Sequence, residues 1–330
     1  MIRTILRALA ALLGLGAAPA VASGFQQVAI RMPGDAPLAV GIWYPSDTPA
    51  ESHAVGAHTA MLAVNGALRG AALPLVVMSH GSGGSFASLY TTGMALAEAG
   101  FVVAAVTHTG DTHQNHSRKL EVIDRPAQMT RLIDYMLEEW PLRSAIDAAR
   151  VGIVGYSVGA FTALVSIGGT PDLRRIVPHC EANPHDPICR IVGEHAADAY
   201  EMNDGGGKTW SHDPRIKAAV LAAPALAFVF GRDGLAGVRA PIQLWRGEAD
   251  QTLPEPSYAE ALLRDLPVKP EYHVVPRGNH LAFLAPCGWA MAASHPGMCR
   301  DAAGFDRAAF NREFNAEILR FFRTQFAATP

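Results

Sequence analysis

Short apolar, β-branched runs alternate along this chain with longer stretches whose apolar residues recur at helical spacing. The runs predict strands at residues 27–31, 39–44, 73–79, 101–107, 151–155, 217–222, 242–246 and 271–275, the first two as an antiparallel pair. The intervening patterns predict helices at 85–99, 125–139, 158–167, 257–266 and 307–326. Crossovers of that length join parallel strands. The expected class is therefore α/β, with a mostly parallel central sheet and helices on both faces.

One segment breaks the alternation. Residues 170–214 carry Gly205-Gly206-Gly207, two cysteines and many polar residues where a short connection is expected. A structureless loop of that length is uncommon in a compact domain, so the segment reads as a cap-like excursion over the site. No repeat, low-complexity tract or linker divides the rest, and residues 23–330 read as one domain. Residues 1–22 read as a secretory leader. Arg3 and Arg7 supply its positive end, residues 5–15 its apolar run, and Ala20-Val21-Ala22 a small-residue cleavage site. Gly14, Gly16 and Pro19 interrupt that run short of the roughly 20 residues a membrane anchor needs. The expected location is the periplasm or the exterior.

Composition adds two constraints. With 49% hydrophobic and 17% charged residues in 330, the chain can bury a large core. The net charge is −3 and no basic cluster occurs, which makes nucleic acid and anionic membrane surfaces poor partners.

The sharpest chemical signal is Gly155-Tyr156-Ser157-Val158-Gly159, which an apolar strand precedes and a small-residue helix follows. That context is the nucleophile elbow of an α/β-hydrolase, where glycines let strand and helix pass closely and the serine hydroxyl stands above the strand ends. A serine hydroxyl needs a base held by a carboxylate, and in this fold the order is Ser, acid, His. Asp250 follows the strand and glycine turn at 242–247, with Glu248 its nearest rival and Asp233 and Asp265 less well placed. His280 follows the strand at 271–275 and is the expected general base. His273 lies inside that strand, and His295 lies in a loop bracketed by cysteines. Backbone donors for a developing oxyanion are assigned to Ser82, in Met78-Ser79-His80-Gly81-Ser82-Gly83-Gly84, and to Val158. The glycines there do not continue into a phosphate-binding pattern.

Four cysteines in an exported chain favour disulfides. Three pairings are open, and closeness along the chain favours Cys180 with Cys189 and Cys287 with Cys299. Zinc held by His179, Cys180, His185 and Cys189 is the competing reading, although the spacing matches no usual zinc pattern. His108, Asp111, His113 and His116 share one loop and read as pocket rim or solvated residues in preference to a metal site. Phe283, Trp289, Met291 and Met298 could wall an acyl pocket, with core or cap packing as the plainer reading. No cofactor or metal is expected.

Beyond the elbow, the chain resembles bacterial proteins labelled dienelactone hydrolases, related to platelet-activating-factor acetylhydrolase and more distantly to polyester-cleaving cutinase-like enzymes. The resemblance runs through Ile42-Trp43-Tyr44-Pro45, Ser79-His80-Gly81, Arg125-Pro126-Ala127, the elbow, Asp213-Pro214-Arg215-Ile216 and Gly278-Asn279-His280-Leu281-Ala282-Phe283. It covers nearly all of the sequence after the leader and implies an α/β-hydrolase fold. True dienelactone hydrolases carry a cysteine nucleophile, so that label says little about the substrate of a chain with Ser157. The acetylhydrolases carry their acid after the preceding strand. Here that place reads Ala223-Pro224-Ala225-Leu226 and offers no carboxylate, which favours Asp250. The expected activity is hydrolysis of a small or lipid-like carboxylic ester through an acyl-serine. Acyl transfer by the same residues and a noncatalytic binding role on the same scaffold are the alternatives.

Overall fold

In the computed structural model, which describes residues 21–192, 201, 203 and 209–328, the apolar runs pair into a ten-stranded sheet. In chain order its strands are β1 (Ala22–Ile30), β2 (Leu38–Ser46), β3 (Glu51–Val55), β4 (His58–Val64), β5 (Leu73–Ser79), β6 (Val102–Thr107), β7 (Ile146–Tyr156), β8 (Ile216–Ala222), β9 (Ile242–Gly247) and β10 (Glu271–Val275). They lie side by side as β10-β9-β8-β7-β5-β6-β2-β1-β4-β3. From β5 to β10 all pairings are parallel, and β2 joins this block antiparallel to β6 and to β1. All seven residues of β5 are buried, as are five of the six in β6. Such continuous burial means that helices cover both faces.

Those helices are α1 (Tyr90–Glu98), α2 (Asp124–Asp134), α3 (Val158–Ser166), α4 (Ile176–Ala182), α5 (Pro187–Val192), α6 (Gly231–Leu235), α7 (Ala259–Asp265), α8 (Trp289–Ser294) and α9 (Arg307–Ala327). The chain leaves β5 for β6 on one side, then crosses back to β7 on the other side of β5. Right-handed crossovers therefore put α1 and α2 on opposite faces. Consistently, α1 packs with α9, and α2 packs with α3. The reversal opens a crevice at the carboxyl ends of β5 and β7, which is where an open α/β sheet binds its ligand.

Helix α9 shows why the last layer forms. Phe310, Phe314, Ile318, Phe321, Phe322 and Phe326 fall on one helical stripe and are buried, while the Asp306 carboxylate caps the first turn by accepting the Ala309 amide at 2.9 Å. Phe314 meets Trp245, Phe283 and Phe310 at ring-centre distances of 5.1, 5.5 and 5.7 Å.

The structure extends and corrects the sequence expectations in several places. The β3–β4 hairpin was not foreseen, and it adds to the sheet edge through the parallel pairing of β4 with β1. The helix expected at 85–99 opens with a 3-10 turn at Phe86–Leu89, and the one expected at 125–139 ends in a π turn at Tyr135–Glu139. Of the leader expected at 1–22, only Val21 and Ala22 lie within the described residues, and Ala22 already pairs with Ser46. The excursion at 170–214 contains α4 and α5, joined by the Cys180–Cys189 disulfide, whereas Gly205-Gly206-Gly207 lies outside the described residues. The second disulfide is Cys287–Cys299, as closeness along the chain favoured. With Cys180 and Cys189 bonded to each other, the zinc reading loses its thiolates. His179 instead meets Asp186 at 2.9 Å, and Asp186 accepts the Tyr258 hydroxyl, docking the excursion on the body.

Phe314→Ala removes the central ring of the α9 contact from a site with no solvent exposure. The expected cost is about 3–5 kcal/mol in urea unfolding. A loss below about 1 kcal/mol would show that α9 adds little to the core.

Candidate active site

The elbow is built by close packing. A Cβ on Gly155 would stand 2.2 Å from the Gly159 carbonyl oxygen, and one on Gly159 would stand 2.1 Å from that of Ser79. Only glycine lets β7, the start of α3 and the end of β5 approach this closely. Ser157 sits between them at φ 56°, a conformation that costs a non-glycine residue of the order of 1–3 kcal/mol. Its amide donates to Ala222 O at 2.9 Å, and its carbonyl accepts Ala160 N at 2.9 Å, which holds the strained residue from both sides.

The structure brings the three expected side chains together. His280 Nε2 lies 3.0 Å from Ser157 Oγ, and His280 Nδ1 lies 2.8 Å from Asp250 Oδ2. With Nδ1 donating to the carboxylate, Nε2 is left as the acceptor for the serine hydroxyl. Asp250 Oδ1 accepts the amides of Thr252 and Leu253, so the carboxylate is fixed by its own loop. The acid turn and the histidine turn are stitched together by Glu248 N to Val275 O and Ala249 N to Gly278 O. Glu248 points elsewhere and accepts the Arg277 amide. His273 stacks flat on Trp245 with centroids 4.0 Å apart, and His295 is exposed.

Tyr156, which no sequence signal marked, is a second clamp on the histidine. Its hydroxyl donates to the His280 carbonyl at 3.0 Å, and its ring lies 5.2 Å from the imidazole.

After β5 the chain passes close under the elbow. A Cβ on Gly81 would reach Ser157 Cβ at 3.2 Å. His80 is buried and accepts the His108 amide on Nε2 at 3.0 Å, so its proton sits on Nδ1 and is donated to the Gly81 carbonyl at 2.5 Å. In a trans peptide the C=O and the next N–H point in opposite directions. Anchoring Gly81 O therefore turns the Ser82 N–H away from His80. Val158 begins α3, where the first amides have no acceptor within the helix. Neither the Ser82 nor the Val158 amide finds a partner among the described residues.

A buried ion pair supports this loop. Arg125 and Asp111 meet at 2.6 Å with side chains 4% and 2% exposed. Arg125 Nη1 donates to His80 O at 2.8 Å, while Asp111 Oδ1 accepts Gly83 N and Ser82 Oγ at 2.8 and 2.9 Å. Burial alone would raise the Asp111 pKa, but Arg125 and these donors hold it below the ordinary carboxylate value. Burial, and then the Arg125 charge, push His80 down to about 3. Burial likewise holds His108 well below the usual imidazole value. His108 bridges Ser79 Oγ at 2.8 Å and Gln128 Oε1 at 2.7 Å.

These placements correct one expectation: His108 and Asp111 are neither rim nor solvated, because they are the buried scaffold of the loop. His113 and His116 are exposed, as expected. The aromatic and methionine set divides. Phe283 is core, Trp289 is 86% exposed, and Met291 and Met298 line a cleft beside Ser82. Among the described residues, one group has metal-ligand spacing, Glu271, His273 and Glu317. There Glu271 already accepts Gln243 and His273 and pairs with Arg320, so the donor set is satisfied by protein groups.

Comparison with known proteins fits this geometry. A family model described as PETase, PET hydrolase-like, matches residues 66–192, less than half of the chain. Cutinase est1 and Cutinase est2 of Thermobifida alba are each 30% identical over 105 residues, 31% of this chain and 33% of each relative. The matched stretch thus spans about a third of the length of these curated relatives. The solved ferulic acid esterase from Streptomyces cinnamoneus superposes with a TM-score of 0.63 at 18% identity, over 95% of this chain and 92% of that one. The chain has an α/β-hydrolase fold. Within that fold, the family match includes Ser82, Arg125 and Ser157 and ends before Asp250 and His280.

Two outcomes follow from the buried network. Arg125→Met strands the Asp111 charge and is expected to cost about 3–5 kcal/mol in urea unfolding, with part recovered in the Arg125→Met, Asp111→Asn double variant. The second concerns pH. His80 and His108 are neutral when folded but titrate near about 6.5 when unfolded, so unfolding takes up protons below that pH. Stability is therefore full above about pH 6.5 and falls toward pH 3, by up to about 1.4 kcal/mol per pH unit for each ring. Unfolding free energies measured across that range check it, and a flat profile would contradict neutral burial.

Proposed function

We propose that this protein is a carboxylic ester hydrolase that works through an acyl-serine intermediate. The observation that carries this reading is the hydrogen-bonded chain from Ser157 Oγ through His280 to Asp250, with distances of 3.0 and 2.8 Å. His280 Nε2 takes the hydroxyl proton as Ser157 Oγ attacks the ester carbonyl carbon. The carbonyl oxygen becomes an oxyanion and receives the Ser82 and Val158 N–H groups, which are rigid before the reaction begins and need no reorganisation. His280 then gives its proton to the departing alkoxide, leaving Ser157 acylated. Water enters, loses a proton to His280 and attacks the acyl carbon. The carboxylic acid leaves, and the proton returns to Ser157. Asp250 stays ionised throughout, holding the imidazole in its tautomer and stabilising the imidazolium.

The cutinase and PET hydrolase-like matches support an ester over an amide as the substrate class, of short acyl, lipid or polyester type. The His80-Gly81 segment and the elbow sequence remain the basis for placing the chain near the platelet-activating-factor acetylhydrolase branch. Two disulfides suit an exported chain in an oxidising compartment. No helix among the described residues is long and apolar enough to cross a membrane.

A fluorophosphonate probe tests the nucleophile. The folded protein is expected to label, Ser157→Ala to lose all label, and Asp250→Asn to lower kcat on p-nitrophenyl acetate about 10⁴-fold with little change in KM. Absence of label on the folded protein, or equal labelling of Ser157→Ala, would overturn the proposal.

A further inference from the structure

Beside the triad lies a mostly apolar cleft of about 610 Å³, within the range of about 300–1,000 Å³ typical of small-molecule sites. Its floor is the oxyanion loop, with Ser82, Gly84 and Ala87. One wall is the tip of the β3–β4 hairpin, where the His58 ring lies tilted against Tyr90 with centroids 4.8 Å apart. A Cβ on Gly56 of that tip would lie 2.9 Å from Ala87 Cβ, so the hairpin rests directly on the floor. The facing wall is the chain after His280, with Leu284, Met291 and Met298.

This facing wall is braced on three sides. Cys287–Cys299 closes it into a loop, Arg307 Nη1 donates to Met298 O at 2.9 Å, and Asn279, beside the triad histidine, donates to Arg300 O at 2.9 Å. Among the described lining residues Arg307 is the one Lys, Arg, Asp or Glu, and it is paired with Asp301 at 2.7 Å. The lining surface is mostly apolar, and methionine side chains adapt their shape to a flexible apolar chain.

We propose that this cleft takes the unbranched apolar arm of the ester, acyl or alkyl, and that Met291 and Met298 set the length of arm accepted. The assignment rests on the hydrolase reading, because Ser82, whose amide that reading gives to the oxyanion, lines the floor of the cleft. A neutral aliphatic arm matches this mostly apolar lining, and a charged arm would lose solvation there while the Arg307 guanidinium is already paired with Asp301.

Two ester series separate the sources of the arm: p-nitrophenyl acetate against p-nitrophenyl octanoate for the acyl side, and ethyl acetate against octyl acetate for the alkyl side. The unmodified protein is expected to favour the octyl member in at least one series. Met291→Trp, which fills the cleft, is expected to lower the long-to-short ratio of kcat/KM in that series by about tenfold or more. Met291→Ala, which shortens a half-buried side chain on α8, is expected to raise it. Ratios within about twofold of the unmodified protein in both series, for both variants, would overturn the cleft assignment while leaving ester hydrolysis standing. A folded protein that hydrolyses none of the four esters would overturn the hydrolase reading itself and the cleft assignment with it.

Discussion

The site depends on one close approach, that of the first turn of α3 to the end of β5. Gly159 lies so near the Ser79 and His80 carbonyls that any side chain there would force the two apart. Because β7 feeds α3 and β5 feeds the His80-Gly81 loop, this contact sets the height of Ser157 relative to the Ser82 and Val158 amides. The strain at Ser157 persists for the same reason: the residue is caught between Gly155, Gly159 and Ala222, and relaxing it would open all three contacts.

Electrostatics then decide which way the loop faces. Two buried imidazoles and a buried ion pair form an unusual foundation, since each must find partners inside the protein or cost free energy. Their mutual satisfaction is what gives the loop a single orientation. His80 can donate from Nδ1 only because its Nε2 is already occupied by the His108 amide, and Arg125 can be buried only beside Asp111. The result is a Gly81–Ser82 peptide whose direction is settled from beneath, by groups that need not touch a substrate.

How much of this was legible in the sequence follows from distance along the chain. Ser157, Asp250 and His280 each lie just beyond the carboxyl end of a β-branched strand, so local pattern and chain order bring forward the three side chains that the fold places in hydrogen-bond reach of one another. The scaffold beneath the loop was hidden because its bonds join residues 14 to 45 positions apart, as in Arg125 with Asp111 and Arg125 with His80. An Asp and three histidines on one loop read locally as solvated, and only the β5–β6 pairing buries two of them. The β3–β4 hairpin was missed for another reason. Its edge position leaves much of Glu51–Val55 in solvent, so the apolar alternation that marks a half-buried strand is absent. Helices α4 and α5 are too short for periodicity to register, and the Cys180–Cys189 bond supports them instead.

Reaction geometry and the proposed substrate cleft rest on different supports. Ser157 and the loop from His80 to Gly84 are held from the sheet and from Arg125, within the stretch matched by the PET hydrolase-like family model. The cleft wall after His280 is held by Cys287–Cys299 and by Arg307 at the start of α9, outside that stretch. The wall meets the His280 turn at Asn279 and Leu284, and most of residues 288–298 is exposed. Residues on it can therefore change size without disturbing Ser157 or the Ser82 amide, since none of the bonds that orient those groups passes through it. On the proposed reading, the acceptance of one ester over another is a property of a stapled surface segment, while the chemistry belongs to a close-packed interior that tolerates almost no change.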